Sequence, residues 1–159
     1  MNEPMNEIIP GLYLGDIFAA RNPTLLRENG IFNILTIARG TLGLLNNTLK
    51  EDGNAFQHVQ IELDDLPDEK LLDQLEKGVG FIDKALDGQD GNGKILVHCL
   101  QGMSRSCSFV VAYLVWKDDI TVGKALEIVQ EKRKKARPNA GFYRQLVEWE
   151  ARCKEKKAA

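Results

Sequence analysis

A strand with no polar face runs, after a short loop, into a helix with no polar face. Ile95-Leu96-Val97 is a continuous apolar centre between Lys94 and His98, and Ser104 to Trp116 is apolar nearly all round. Such a strand is covered on both sides, the habit of parallel sheets flanked by helices, and such a helix is buried among other elements. The pair therefore demands an α/β layered fold with residues 94–98 near its centre.

The rest of the chain fits that demand. Ile8 to Leu14 reads as a first strand bounded by Pro10, Gly11 and Gly15. Asp16 can then cap a short helix, and Pro23-Thr24-Leu25-Leu26 opens another that stops at Gly30. Ile31 to Ala38 reads as a buried strand and His58 to Leu63 as another, separated by an irregular stretch from Arg39 to Asn54 rich in glycine and asparagine. Leu72, Leu75, Val79, Ile82 and Leu86 fall on one helical face. Thr121 caps a helix to about Lys135, and Phe142, Leu146, Trp149 and Cys153 mark a last amphipathic helix whose tail from Lys154 is expected to fray.

At 159 residues the chain is sized for one domain, 1–159, with a core at about 8–150. Its 43% hydrophobic and 28% charged residues suit a soluble globule, and a net charge of −2 provides no global field for a polyanion. Neither a nucleic acid nor a membrane is expected as partner, and no apolar run approaches the ~18 residues that span a bilayer. The three cysteines, Cys99, Cys107 and Cys153, form an odd set without a signal-peptide pattern, which points to a reducing compartment: cytoplasmic, with the nucleus the other option. With only His58 and His98 beside them, no metal site and no cofactor are expected.

The chemistry sits between the buried strand and the buried helix, in His98-Cys99-Leu100-Gln101-Gly102-Met103-Ser104-Arg105-Ser106. A strand-to-helix turn offers unpaired backbone N–H groups and a positive dipole end to an anion, so Leu100 to Arg105 form a candidate phosphate cradle. Cys99 opens the turn, where those groups favour the ionised, nucleophilic sulfur. Gly102 lets amides converge, Arg105 can take two phosphate oxygens at once, and Ser106 can hydrogen-bond the sulfur and stabilise it as a leaving group. His98 is placed to steady the loop rather than to move a proton. The bland alternative, a packed small cysteine with a turn glycine and a solvated arginine, explains each residue singly but not their joint spacing.

This segment resembles the signature of the cysteine-dependent protein tyrosine phosphatases, specifically the dual-specificity branch: His-Cys-x-x-Gly-x-x-Arg followed by Ser or Thr. Gly11-Leu12-Tyr13-Leu14-Gly15, Ala112-Tyr113-Leu114 and Arg137-Pro138-Asn139-Ala140-Gly141-Phe142 resemble the family's first strand, signature helix and last-helix opening. The similarity runs from about Ile8 to Glu150, as in a catalytic-domain-only member. It implies an α/β fold with a central, mostly parallel, twisted sheet of about five strands flanked by helices, and phosphorylated proteins as substrates. Catalysis would run through a phosphocysteine on Cys99, with Arg105, Asp65 and Ser106 as partners, and Asn139 would steady the loop.

The acid that protonates the leaving oxygen is sought in Leu63-Asp64-Asp65-Leu66-Pro67-Asp68-Glu69. Matching the family's leucines places it at Asp65, with Asp64 second, while Asp68 and Glu69 suit the following helix N-terminus. Arg39 is a candidate for substrate recognition, and Lys132-Arg133-Lys134-Lys135 with Arg137 reads either as a steering patch or as a solvated helix end. Cys107 is a candidate redox partner of Cys99. Three other readings compete with a protein phosphatase. A phosphoinositide or RNA 5′-phosphatase is disfavoured because Leu100, Gln101 and Met103 add no cation to the loop. A non-catalytic phosphoprotein-binding module would lose Cys99, Asp65 or Arg105. A rhodanese-like sulfur carrier leaves Asp65 and Arg105-Ser106 unexplained.

Overall fold

In the computed structural model, which describes residues 3–40, 42, 56–88 and 93–158, a five-stranded sheet carries helices on both faces. In chain order the elements are β1 Met5–Ile9, β2 Leu12–Gly15, α1 Ile17–Ala20, α2 Pro23–Glu28, β3 Asn33–Ile37, β4 Gln57–Ile61, α3 Leu72–Asp87, β5 Ile95–His98, α4 Arg105–Asp118, α5 Val122–Lys132 and α6 Ala140–Ala158. The strand order is β1-β2-β5-β3-β4, with β1 antiparallel to β2 and every other pair parallel. β5 lies in the middle, as its unbroken apolar run requires.

Side-chain alternation assigns the two faces. Leu12 and Leu14, Leu35 and Ile37, and Ile95 and Val97 join the large core under α3 to α6, whereas Tyr13, Ile34 and Leu96 point to a smaller core under α1 and α2. α4 is the hub of the large core: residues 105–115 are all buried, and the helix packs against α3, α5 and α6. It therefore has no polar stripe. The Arg39 to Asn54 stretch lies largely outside the described residues.

Three local expectations are corrected. The first strand is a hairpin: Pro10 and Gly11 reverse the chain, and the Gly11 N–H is taken by the Glu7 carboxylate at 3.0 Å. α5 stops at Lys132 rather than Lys135, because Arg133 turns extended as its side chain enters the interior. The C-terminal tail does not fray at Lys154; α6 continues to Ala158, with Lys154 paired to Glu150 one turn back and Lys157 reaching the Trp116 carbonyl. Thr121 does cap α5, accepting from the Lys124 N–H, and Asp16 caps α1 through Ala19.

Among the described residues no helix is long and apolar enough to cross a membrane, and no cluster of His, Cys, Asp or Glu could hold a metal ion.

Candidate active site

At the C-terminal end of β5 the chain turns into α4 through Cys99 to Ser104, and every carbonyl of the turn is spoken for. The Cys99 oxygen accepts from His98 Nδ1, Leu100 from the Ile17 N–H, Gln101 and Gly102 from the Arg133 guanidinium, and Met103 from the Arg137 N–H, at 2.9–3.1 Å. In a planar trans peptide the N–H points opposite to the carbonyl it shares a plane with. Turning those oxygens toward the scaffold therefore turns the amides of Leu100 to Ser104 the other way, and none of these amides has an acceptor among the described residues. The result is a ring of donors at the N-terminus of α4.

Those donors frame a pocket of about 190 Å³ lined by Asp65, Cys99, Leu100, Gln101, Met103, Ser104 and Arg105. Cys99 is 3% exposed, and its sulfur lies 3.0 Å from Ser106 Oγ, so a thiolate there accepts the serine hydroxyl. Arg105 is pinned at one end, donating from an NH group to the Leu63 carbonyl at 3.0 Å, which leaves donors of its fork for the pocket. Gly102 sits at φ +67°, and a Cβ there would lie 2.6 Å from the Gly15 carbonyl oxygen, so no other residue fits the turn.

His98 supports the loop from behind. A carbonyl only accepts, so Nδ1 must carry the proton it gives to Cys99; Nε2 is then an acceptor for the Thr36 hydroxyl at 2.7 Å. The Thr36 oxygen in turn accepts from His58 Nε2 at 2.8 Å, and the bond directions of the whole chain follow. Burial pushes His98 down to about 4, so it stays neutral at physiological pH and holds rather than transfers a proton.

Asn139 joins three parts of the site. Its N–H donates to Ser104 Oγ at 2.9 Å, its Nδ2 to the Asp65 carboxylate at 2.9 Å, and its Oδ1 caps α6 through the Phe142 N–H at 2.8 Å. Asp65 thereby faces the same pocket as Cys99 and Arg105, although it lies 34 positions before the cysteine. Asp64 points away, to Arg39.

Two residues given other readings in the sequence belong to this assembly, and a third was not singled out. Arg133, in the basic run, is 3% exposed and neither steers nor solvates: it holds two loop carbonyls, the Glu3 carbonyl and the Asn6 side chain. Its helical phase was the available signal, since it continues the buried positions Val122, Ala125 and Val129. Thr36, the one hydroxyl inside the apolar run of β3, is fully buried and carries the His58–His98 link. Glu69 does not serve the α3 N-terminus; its carboxylate takes the Asp64 N–H and Arg39, and those bonds hold it below the usual carboxylate range. Cys107 is fully buried, and desolvation raises its thiol far above the ordinary range, which suits packing.

Residues 12–152 match the family model described as dual specificity phosphatase, catalytic domain. The chain is 37% identical over 146 residues to dual specificity protein phosphatase 1B of Arabidopsis thaliana, covering 92% of this chain and 81% of that protein. It is 35% identical over 153 residues to human dual specificity protein phosphatase 16, covering 96% of this chain but spanning only 22% of that relative's length. Among solved structures, the Yvh1 phosphatase domain from Chaetomium thermophilum superposes with a TM-score of 0.80 at 36% identity, covering 91% of this chain and 94% of the other.

Proposed function

The chain belongs to the dual specificity phosphatase catalytic-domain family, and from that premise we propose that it hydrolyses phosphotyrosine and phosphoserine or phosphothreonine monoesters of proteins through a phosphocysteine. The observation that carries the reading is the outward binding of every carbonyl from Cys99 to Met103, which leaves a ring of amides beside one thiol and one guanidinium.

The chemistry follows from that arrangement. The amides and Arg105 hold the three equatorial oxygens, where charge spreads in the transition state, and the Cys99 thiolate attacks phosphorus in line. The P–O bond to the substrate breaks, and Asp65 gives its proton to the departing oxygen. The resulting carboxylate, oriented by Asn139, takes a proton from the water that attacks phosphocysteine. Ser106 donates to the sulfur as it leaves. His98, neutral and tied to a carbonyl, moves no proton in either step.

Phosphorylated proteins fit the pocket better than polyanionic lipids or RNA ends, because Arg105 is the one cation among its described lining residues. A purely binding role is disfavoured by the presence of thiol, guanidinium and carboxylate in one pocket. Turnover of p-nitrophenyl phosphate by the wild-type chain, abolished by Cys99→Ser, is the expected result. Undiminished turnover in the serine variant overturns the reading.

A further inference from the structure

Asp65 rides on a short segment that is held by more than Asn139. Asp64 to Glu69 closes on itself: the Glu69 carboxylate accepts the Asp64 N–H at 2.6 Å, and the Glu69 N–H returns to the Leu66 carbonyl at 3.1 Å. Its C-terminal end is seated on α6. Gln145 Nε2 donates to the Glu69 carbonyl, and the Pro67 carbonyl presses on Gly141, where a Cβ would collide with it. Its opposite side is held by Arg39, two residues past the end of β3, whose Nε donates to Asp64 at 3.0 Å and whose NH2 donates to the same Glu69 oxygen that caps Asp64, at 2.8 Å.

Arg39 is half exposed, yet its backbone is not free to wander. The Ala38 N–H is bound to Ile61, Gln60 Nε2 donates to the Ala38 and Gly40 carbonyls, and the Gly40 N–H donates to Glu62. The guanidinium is thus a fork mounted just past the carboxyl end of β3, on a backbone hydrogen-bonded to β4 and the residue after it, meeting carboxylates on both ends of the segment that presents Asp65. A lysine, as a point charge, cannot span them both.

We propose that Arg39 is a positioning residue that fixes the Asp64–Glu69 segment so that Asp65 faces the leaving oxygen, and that it does not contact substrate; this rests on the reading of Asp65 as the acid. Arg39→Ala then acts on proton delivery alone. The kcat/KM for phenyl phosphate, whose leaving group needs a proton, falls about five- to tenfold, the scale of losing two exposed charged contacts that set the geometry of a general acid. The kcat/KM for 2,4-dinitrophenyl phosphate, whose leaving group does not, changes less than about twofold, because that ratio ends at P–O cleavage and omits the phosphocysteine hydrolysis that Asp65 also assists. Arg39→Lys recovers part of the loss, and 1 M NaCl reproduces part of it in the wild type by screening.

Amide hydrogen exchange provides a readout that needs no turnover: the Asp64 N–H exchanges faster in Arg39→Ala while α6 is unchanged. An equal loss on both substrates with raised KM means that Arg39 binds substrate and overturns the proposal. So does an unchanged phenyl phosphate rate, or unchanged exchange at Asp64. A wild-type chain that hydrolyses neither ester sinks the phosphatase reading instead, and the exchange measurement still decides whether Arg39 anchors the segment.

Discussion

Asp65 and Asn139 meet through one hydrogen bond of 2.9 Å, donated by the amide to the carboxylate of an exposed aspartate. Such a bond orients the carboxyl through one oxygen and leaves the other to carry the proton of the first step. Asp65→Asn is expected to lower kcat/KM for phenyl phosphate by about 10²–10⁴-fold and to spare kcat/KM for 2,4-dinitrophenyl phosphate, the signature of a lost general acid in the step that ends at P–O cleavage. Steady-state kinetics on the two esters check it, and small equal losses would remove Asp65 from the role. His98 makes a different prediction. Its usual value of 6.5 applies to the unfolded chain and about 4 to the folded one, so acid favours unfolding through this group. Stability from His98 is full above about pH 6.5 and drains as the pH falls toward 4, by at most about 1.4 kcal/mol per unit. For a chain of this size that is about 3–5 °C per pH unit. Thermal melts of the wild type and of His98→Asn across that window should diverge in slope, the variant being flatter.

Elements carry the next layer of control, because the loop after β5 is shaped by what holds its carbonyls. α5 ends where it does so that Arg133 can enter the interior and tie the loop to the N-terminal strand, through Gly102, Gln101, Glu3 and Asn6. Arg133→Met leaves the buried Gly102 carbonyl without its partner, at a cost of about 1–3 kcal/mol. The expected outcome is a fall of about 5 °C in Tm together with a loss of turnover, although the side chain does not line the pocket. Lys134→Met, on the exposed neighbour, should change neither, and calorimetry with an ester assay checks both. The turn after β3 and the start of α6 do for the acid segment what the end of α5 does for the loop, Arg39 gripping one side and Asn139, Gly141 and Gln145 the other.

Over the whole molecule, a central parallel strand delivers the nucleophile to the carboxyl end of the sheet, where helices on both faces can reach it. In the proposed reaction the phosphate is bound by backbone amides, one guanidinium and a helix N-terminus, all supplied by the chain itself. Turnover is accordingly expected to be unchanged by a chelator such as EDTA; inhibition that added divalent metal reverses would overturn this chemistry. The layered α/β architecture was legible in the sequence because Ile95-Leu96-Val97 and the α4 run leave no polar face to expose. The hairpin at Pro10-Gly11 was not, since an apolar residue on either side of a turn reads like a strand passing through it.

What the sequence by itself determined is the contiguous part: a loop of amides between a buried strand and a buried helix, with Cys99, Gly102, Arg105 and Ser106 at spacings that short-range geometry brings together. Residues a few positions apart in a tight turn have little freedom to be elsewhere. Only the tertiary structure decided that Arg133 faces inward, that Thr36 links two histidines, and that Arg39 and Asn139 grip the acid segment from opposite sides. Periodicity tells which face of an element is buried but not which neighbour it meets. A long polar side chain therefore reads as solvated until packing supplies the carbonyls and carboxylates that repay its burial.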